Sequence, residues 1–164
     1  MAQVTFKGSA VTTAGDLPSV GAKAPDFKLV AVDLTDKTLE SFAGKKKILA
    51  INPSYDTGVC QKAARTFNQR MGERSDVVVL MVSADLPFAQ KRFCEAEELS
   101  HVVPLSTFRS TFGADYGVTM VNGPLSGLTA RAVVVIDEND KVIHSQLVSE
   151  IVQEPDYDAV SAAL

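Results

Sequence analysis

Val77 to Val82 is apolar at every position. A strand alternates its side chains between two faces, so such a run has to be covered on both. Lys47 to Ile51 reads the same way after its first residue. Between the two runs the period changes: Cys60, Ala63, Ala64, Phe67 and Met71 fall on one face of a helix, with Gly72 as its expected stop. Strand, helix, strand is the repeating order of a sheet packed between layers.

The remaining segments extend that order. Val4 to Thr13 alternates around Lys7-Gly8-Ser9, the pattern of a small β-hairpin. Gly21 to Pro25 is a turn, Phe27 to Val32 a strand, and Leu39 with Phe42 a short helical turn closed by Gly44. Lys45-Lys46-Lys47 is expected in a solvated turn. Asp85 and Pro87 open a helix carrying Phe88, Phe93, Cys94 and Leu99. Val102 to Leu105 is a short strand, and Thr107 to Tyr116 a weaker helical stretch. Ala132 to Ile136 and Val142 to Val148 flank the turn Glu138-Asn139-Asp140 as a hairpin, and Pro155 opens a last helix. This predicts one α/β domain over residues 1–164: a thioredoxin-like mixed sheet flanked by helices, with an extra N-terminal β-hairpin.

A chain of 164 residues can bury an ordinary core. Its net charge of −4, without clustered Lys and Arg, argues against nucleic acid or an anionic membrane as partner. Met1 to Ala10 has no basic head followed by an apolar segment, and no apolar run approaches membrane-spanning length, so the expected location is cytoplasmic. In that compartment cysteines are more often reactive than structural. His101 and His144 are isolated and lack ligand spacing, so no metal and no cofactor is expected.

The loop Pro53-Ser54-Tyr55-Asp56-Thr57-Gly58-Val59-Cys60 joins a buried strand to the amphipathic helix and puts Cys60 in its first turn. Unpaired N–H groups and the positive end of the macrodipole favour a thiolate there. Asp56 or Thr57 can cap the helix. The alternative is a small buried core cysteine. Arg131, alone before the apolar run Ala132 to Ile136, is either a cation for that thiolate or a strand-end charge in solvent. A dithiol exchange site would need C-x-x-C, and Thr57 stands where the first cysteine would be.

Pro53, Thr57 and Cys60 meet the Pro-x-x-x-Thr-x-x-Cys pattern, which resembles the active-site signature of the peroxiredoxins. The longer string with Arg65-Thr66-Phe67-Asn68 is similar to their bacterial thiol peroxidase subgroup. So are Ser83 to Gln90, Arg92-Phe93-Cys94, Asn122 to Leu125, Ala130 to Val135 and Glu154 to Tyr157. The resemblance spans essentially the whole chain. It implies that Cys60 attacks the O–O bond of a hydroperoxide and becomes a sulfenic acid. Thr57 would orient thiolate and peroxide, Arg131 would favour the thiolate and the leaving alkoxide, and Pro53 would shield the pocket. Cys94 would resolve the sulfenic acid as a Cys60–Cys94 disulfide, with thioredoxin as reductant and a homodimer as assembly. Alkyl hydroperoxides and hydrogen peroxide are the implied substrates.

The chain departs from that pattern at four positions. Asn52 precedes the proline where an apolar residue is common, and Tyr55 replaces an aliphatic one. Glu95 and Glu98 stand where glycines are expected. Both glutamates are expected to stiffen the Cys94 helix and, through their charge, to raise the Cys94 thiol.

Overall fold

A computed structural model describes residues 1–164. The two apolar runs become β5 (Lys46–Ile51) and β6 (Val77–Ser83), paired in parallel from Lys46 opposite Val77 to Ile51 opposite Val82. The sheet is mixed and seven-stranded. Beyond β6 lies β7 (Val102–Ser106), also parallel, then β3 (Leu29–Ala31) and the two-residue β4 (Asp36–Lys37). On the other side of β5 come β8 (Ala132–Ile136) and β9 (Val142–Leu147), both antiparallel to their neighbours. The N-terminal hairpin forms as expected from β1 (Gln3–Phe6) and β2 (Ser9–Thr12). Thus the thioredoxin-like architecture read from the sequence is the one observed.

Both faces of the central strands are covered, which is why they are apolar throughout. Ile48, Ala50, Val79, Met81, Val133 and Val135 face Cys60, Ala64, Phe67 and Met71 of α1 (Gly58–Met71) and Val160 of α4 (Tyr157–Ala163). Leu49, Ile51, Leu80, Val82 and Val134 face Phe27, Leu39, Phe112 and Tyr116, the last two in and after the short α3 (Phe112–Asp115). The expected longer helix from Thr107 is not formed; one turn suffices to deliver the stacked Phe112 and Tyr116 rings.

Two other expectations change. Lys46 joins Lys47 in the strand and neither lies in a solvated turn. Lys47 is fully buried, with its Nζ 2.9 Å from the Asp140 carboxylate in the β8–β9 turn. Gly72 does end α1, but in a right-handed conformation (φ −62°). Its need is space, since a Cβ there would lie 2.7 Å from the His101 ring and 2.8 Å from the Asn68 carbonyl oxygen.

The second correction concerns α2, which spans Pro87–Ala96 and leaves Leu99 outside. The Leu99 N–H donates to the Cys94 carbonyl (2.9 Å) and the Glu98 N–H to the Glu95 carbonyl (3.3 Å). These are the two bonds of a Schellman cap, with Glu98 in the left-handed position at φ 54°. So Glu98 does not stiffen a helix interior; it occupies a site where glycine costs less. Glu98→Gly should therefore raise the urea midpoint, by about 0.5–1 kcal/mol of stability. Glu95→Gly, inside the helix, should lower stability by about 1 kcal/mol. A fall in stability for Glu98→Gly would count against the cap.

Candidate functional site

Chain entry into α1 fixes Cys60. Strand β5 ends at Ile51, Pro53 and Tyr55 are buried, and α1 begins after Thr57. Neither candidate side chain caps the helix: the Thr57 hydroxyl instead donates back to the Ser54 carbonyl at 3.0 Å. The first-turn N–H groups are left without a side-chain acceptor, as an anion at Cys60 would want. Cys60 itself is fully buried beneath that turn.

Arg131, just before β8, comes to the sulfur rather than to solvent. It is 2% exposed, and its Nη2 donates to Cys60 Sγ at 3.2 Å. Nε donates to the Ile151 carbonyl at 2.8 Å and Nη1 to Asn52 Oδ1 at 2.6 Å. No carboxylate lies within ion-pair distance of this guanidinium. A buried charge without a counterion is costly. The sulfur is the one hydrogen-bonded partner able to become an anion.

Two residues noted above only as departures prove to belong to this network. The Asn52 amide nitrogen donates to the Tyr55 hydroxyl (2.9 Å) and to the Ala50 carbonyl (3.2 Å). Tyr55 is buried, and burial first, then the nearby sulfur, holds its phenol well above the usual range. Its ring stacks on Phe93 of α2 with centroids 5.4 Å apart. Asp85 joins the same two segments, accepting from the Ser54 hydroxyl (2.7 Å), the Tyr55 N–H (2.8 Å) and the Ser83 hydroxyl (2.8 Å). The sequence signal for Asn52 was a lone amide at the end of a buried strand; its partner at 131 carried no sequence link to it.

Pro53, Thr57 and Arg131 line one cavity of about 290 Å³, walled by Phe6, Leu125, Leu128 and Ile151 with Lys7 among its other residues. Thr57 thus shares the cavity with Arg131, while its hydroxyl is held by Ser54 and makes no bond to the sulfur. Cys94 lies elsewhere, on α2, packed against the same core cluster as Cys60. Both cysteines are free thiols. Burial pushes the Cys94 thiol up to about 11; neighbouring carboxylates, the expected cause, are not among the contributors.

The sequence pattern of the Redoxin family matches residues 19–161. Thiol peroxidases of Mycobacterium bovis and Mycobacterium tuberculosis are each 52% identical over the full chain and 99% of their own length. A peroxiredoxin-like protein from Aquifex aeolicus superposes with a TM-score of 0.94 at 39% identity, covering 100% of this chain and 98% of that one. A thiol peroxidase from Chromobacterium violaceum does so with a TM-score of 0.91 at 26% identity, covering 98% and 93%.

The half-buried Cys94 thiol makes stability depend on pH. With its folded value near 11 against an ordinary 9.0, the folded chain holds a proton that the unfolded chain has already released. Stability from this group is intact below pH 9 and is lost as pH rises toward 11, by at most about 1 kcal/mol per pH unit. Urea unfolding under reducing conditions should show that extra slope in the parent and a shallower one in Cys94→Ala. Identical slopes would mean that the thiol is not desolvated.

Proposed function

This chain belongs to the Redoxin family as one of its thiol peroxidases, and we propose that it reduces hydroperoxides with Cys60 as nucleophile and Cys94 as resolving thiol. Thiol-dependent peroxide reduction is the activity of the family. The residue roles rest chiefly on one observation, the buried Arg131 guanidinium 3.2 Å from Cys60 Sγ with no carboxylate to neutralise it. A guanidinium in that position favours thiolate over thiol, and the thiolate is the nucleophile.

The chemistry then follows from the cavity. A hydroperoxide enters past Pro53 and Thr57, and the Cys60 thiolate attacks its terminal oxygen. The O–O bond breaks, the sulfur gains that oxygen as sulfenic acid, and the electron pair leaves on an alkoxide that is protonated to an alcohol. Arg131 is placed to donate to the developing negative oxygen. Apolar walls from Phe6, Leu125, Leu128 and Ile151 suit an alkyl group, so alkyl hydroperoxides are the proposed class, with hydrogen peroxide as the minimal substrate. The Cys94 thiol next displaces the hydroxyl of the sulfenic acid, giving a Cys60–Cys94 disulfide and water.

That second step needs the two Cα atoms within roughly 7 Å and the sulfurs free to meet. Here Cys94 is half-buried, protonated at neutral pH and held through its carbonyl in the Schellman cap. Opening the C-terminal part of α2 frees and hydrates the thiol, which restores its acidity. Two electrons from a dithiol protein then regenerate both thiols; we propose thioredoxin as that reductant, a homodimer as the assembly and the cytoplasm as the location. No helix is long and apolar enough to cross a membrane.

Cys60→Ser should abolish consumption of cumene hydroperoxide in a thioredoxin-coupled assay, since a hydroxyl is far less acidic and nucleophilic than a thiol. Cys94→Ser should retain one rapid turnover and accumulate a sulfenic acid that dimedone captures, detected by mass spectrometry. Turnover by Cys60→Ser, or capture at position 94 instead of 60, would overturn the assignment.

A further inference from the structure

The guanidinium of Arg131 is anchored by two oxygens, and both are neutral: the Ile151 carbonyl at Nε and Asn52 Oδ1 at Nη1. That choice matters because the third nitrogen, Nη2, faces the sulfur. A carboxylate in the place of Asn52 would hold Arg131 equally well and would also cancel the charge that the sulfur feels. In this chain an apolar residue there would remove the acceptor that Nη1 now has.

We propose that Asn52 is a positioning residue for Cys60: its neutral oxygen holds Arg131 against the sulfur with the cation uncompensated, and the Tyr55 hydroxyl locks the amide that does so. The role deepens the peroxidase reading and rests on it for its purpose, although its geometry is independent of any substrate.

The amide has no freedom to exchange its ends. Arg131 can only donate, so the oxygen must face it, and the nitrogen must then find acceptors. It finds the Tyr55 hydroxyl at 2.9 Å and the Ala50 carbonyl at 3.2 Å. The Asn52 backbone is held as firmly, its N–H donating to the Val82 carbonyl (2.9 Å) and its own carbonyl accepting from the Thr129 hydroxyl (2.8 Å). Every polar group of a 3% exposed residue is thereby used. Nothing in strand pairing requires an amide here, because β5 ends one residue earlier.

The other charged and titratable groups around the sulfur do not supply a substitute. Asp85 is engaged by Ser54, Tyr55 and Ser83. Glu154, before α4, feels Arg131 only weakly and is held by Lys62 (3.2 Å) and by the Tyr157 hydroxyl (2.9 Å). Tyr55 and Cys94 are both pushed toward their neutral forms by burial.

The test uses a Cys94→Ser background, in which Cys60 is the only thiol, and follows its alkylation by the neutral reagent chloroacetamide across pH. Asn52→Asp keeps the acceptor and the shape but adds charge. It should slow alkylation at pH 7 about ten-fold and move the pH profile upward by about one unit, with thermal stability kept or increased. Asn52→Leu should slow it at least as much. Tyr55→Phe, which keeps the ring on Phe93, should slow it by about three-fold, the cost of a loosened hydrogen bond. If Asn52→Asp keeps the parent's rate and profile, Asn52 merely satisfies a buried arginine and the proposal is wrong. That variant decides the matter even if Asn52→Leu fails to fold. Hydroperoxide consumption by the unaltered chain is measured alongside. Its failure would remove the peroxidase reading while leaving the alkylation outcome to judge Asn52.

Discussion

A guanidinium enclosed by protein with no carboxylate beside it is the constraint around which the site is arranged. Taking such a group out of water costs several kcal/mol unless each donor is met and an opposite charge is near. Three of its five N–H groups are met, two by the neutral oxygens of Asn52 and Ile151 and one by the Cys60 sulfur. An anion at that sulfur would supply the missing opposite charge, so that the two groups would stabilise each other. This differs from a surface ion pair, where solvent screening leaves little net gain.

The sheet is what makes the enclosure possible. Strand β5 pairs with β6 in parallel on one edge and with β8 antiparallel on the other, so the end of β5 and the start of β8 arrive at the same rim. Ile51 opposite Ala132 fixes the register, which sets Asn52 and Arg131 side by side one step beyond the paired residues. Helix α1 starts from this rim and carries Cys60 under it. A one-residue slip in the β5–β8 register would turn Arg131 to the opposite face and separate it from the sulfur.

What could be read in the sequence was what local periodicity encodes. The face Cys60, Ala63, Ala64, Phe67 and Met71 is the buried face of α1, and both apolar runs are central strands. The family resemblance also led to Pro53, Thr57, Cys60 and Arg131; Pro53, Thr57 and Arg131 share a cavity, and Cys60 touches Arg131. The errors arose where a residue's state depends on a partner distant in the chain. Lys47 looked solvated because Asp140 was needed to bury it. Asn52 and Tyr55 looked like irregularities because Arg131 was needed to give them a purpose. Glu98 looked like a helix former because its left-handed conformation is set by the cap and not by its own preference. β4, two residues long, has no periodicity to detect.

The same contacts that hold the reactive thiol also bear on the second half of the proposed cycle. Tyr55 is shared: its hydroxyl serves the Asn52–Arg131 network and its ring stacks on Phe93, the residue before Cys94. Asp85, two residues ahead of α2, binds the loop that holds Tyr55. In this arrangement Cys94 is a half-buried thiol whose acidity burial lowers. In the proposed cycle, release of the end of α2 would part Phe93 from the Tyr55 ring and hydrate Cys94. An aromatic stack is worth only about 0.5–1.5 kcal/mol beyond its buried area. That is a small cost for the proposed release of α2. In the proposed cycle this separation of the two thiols would keep Cys60 poised and Cys94 dormant until the sulfenic acid exists.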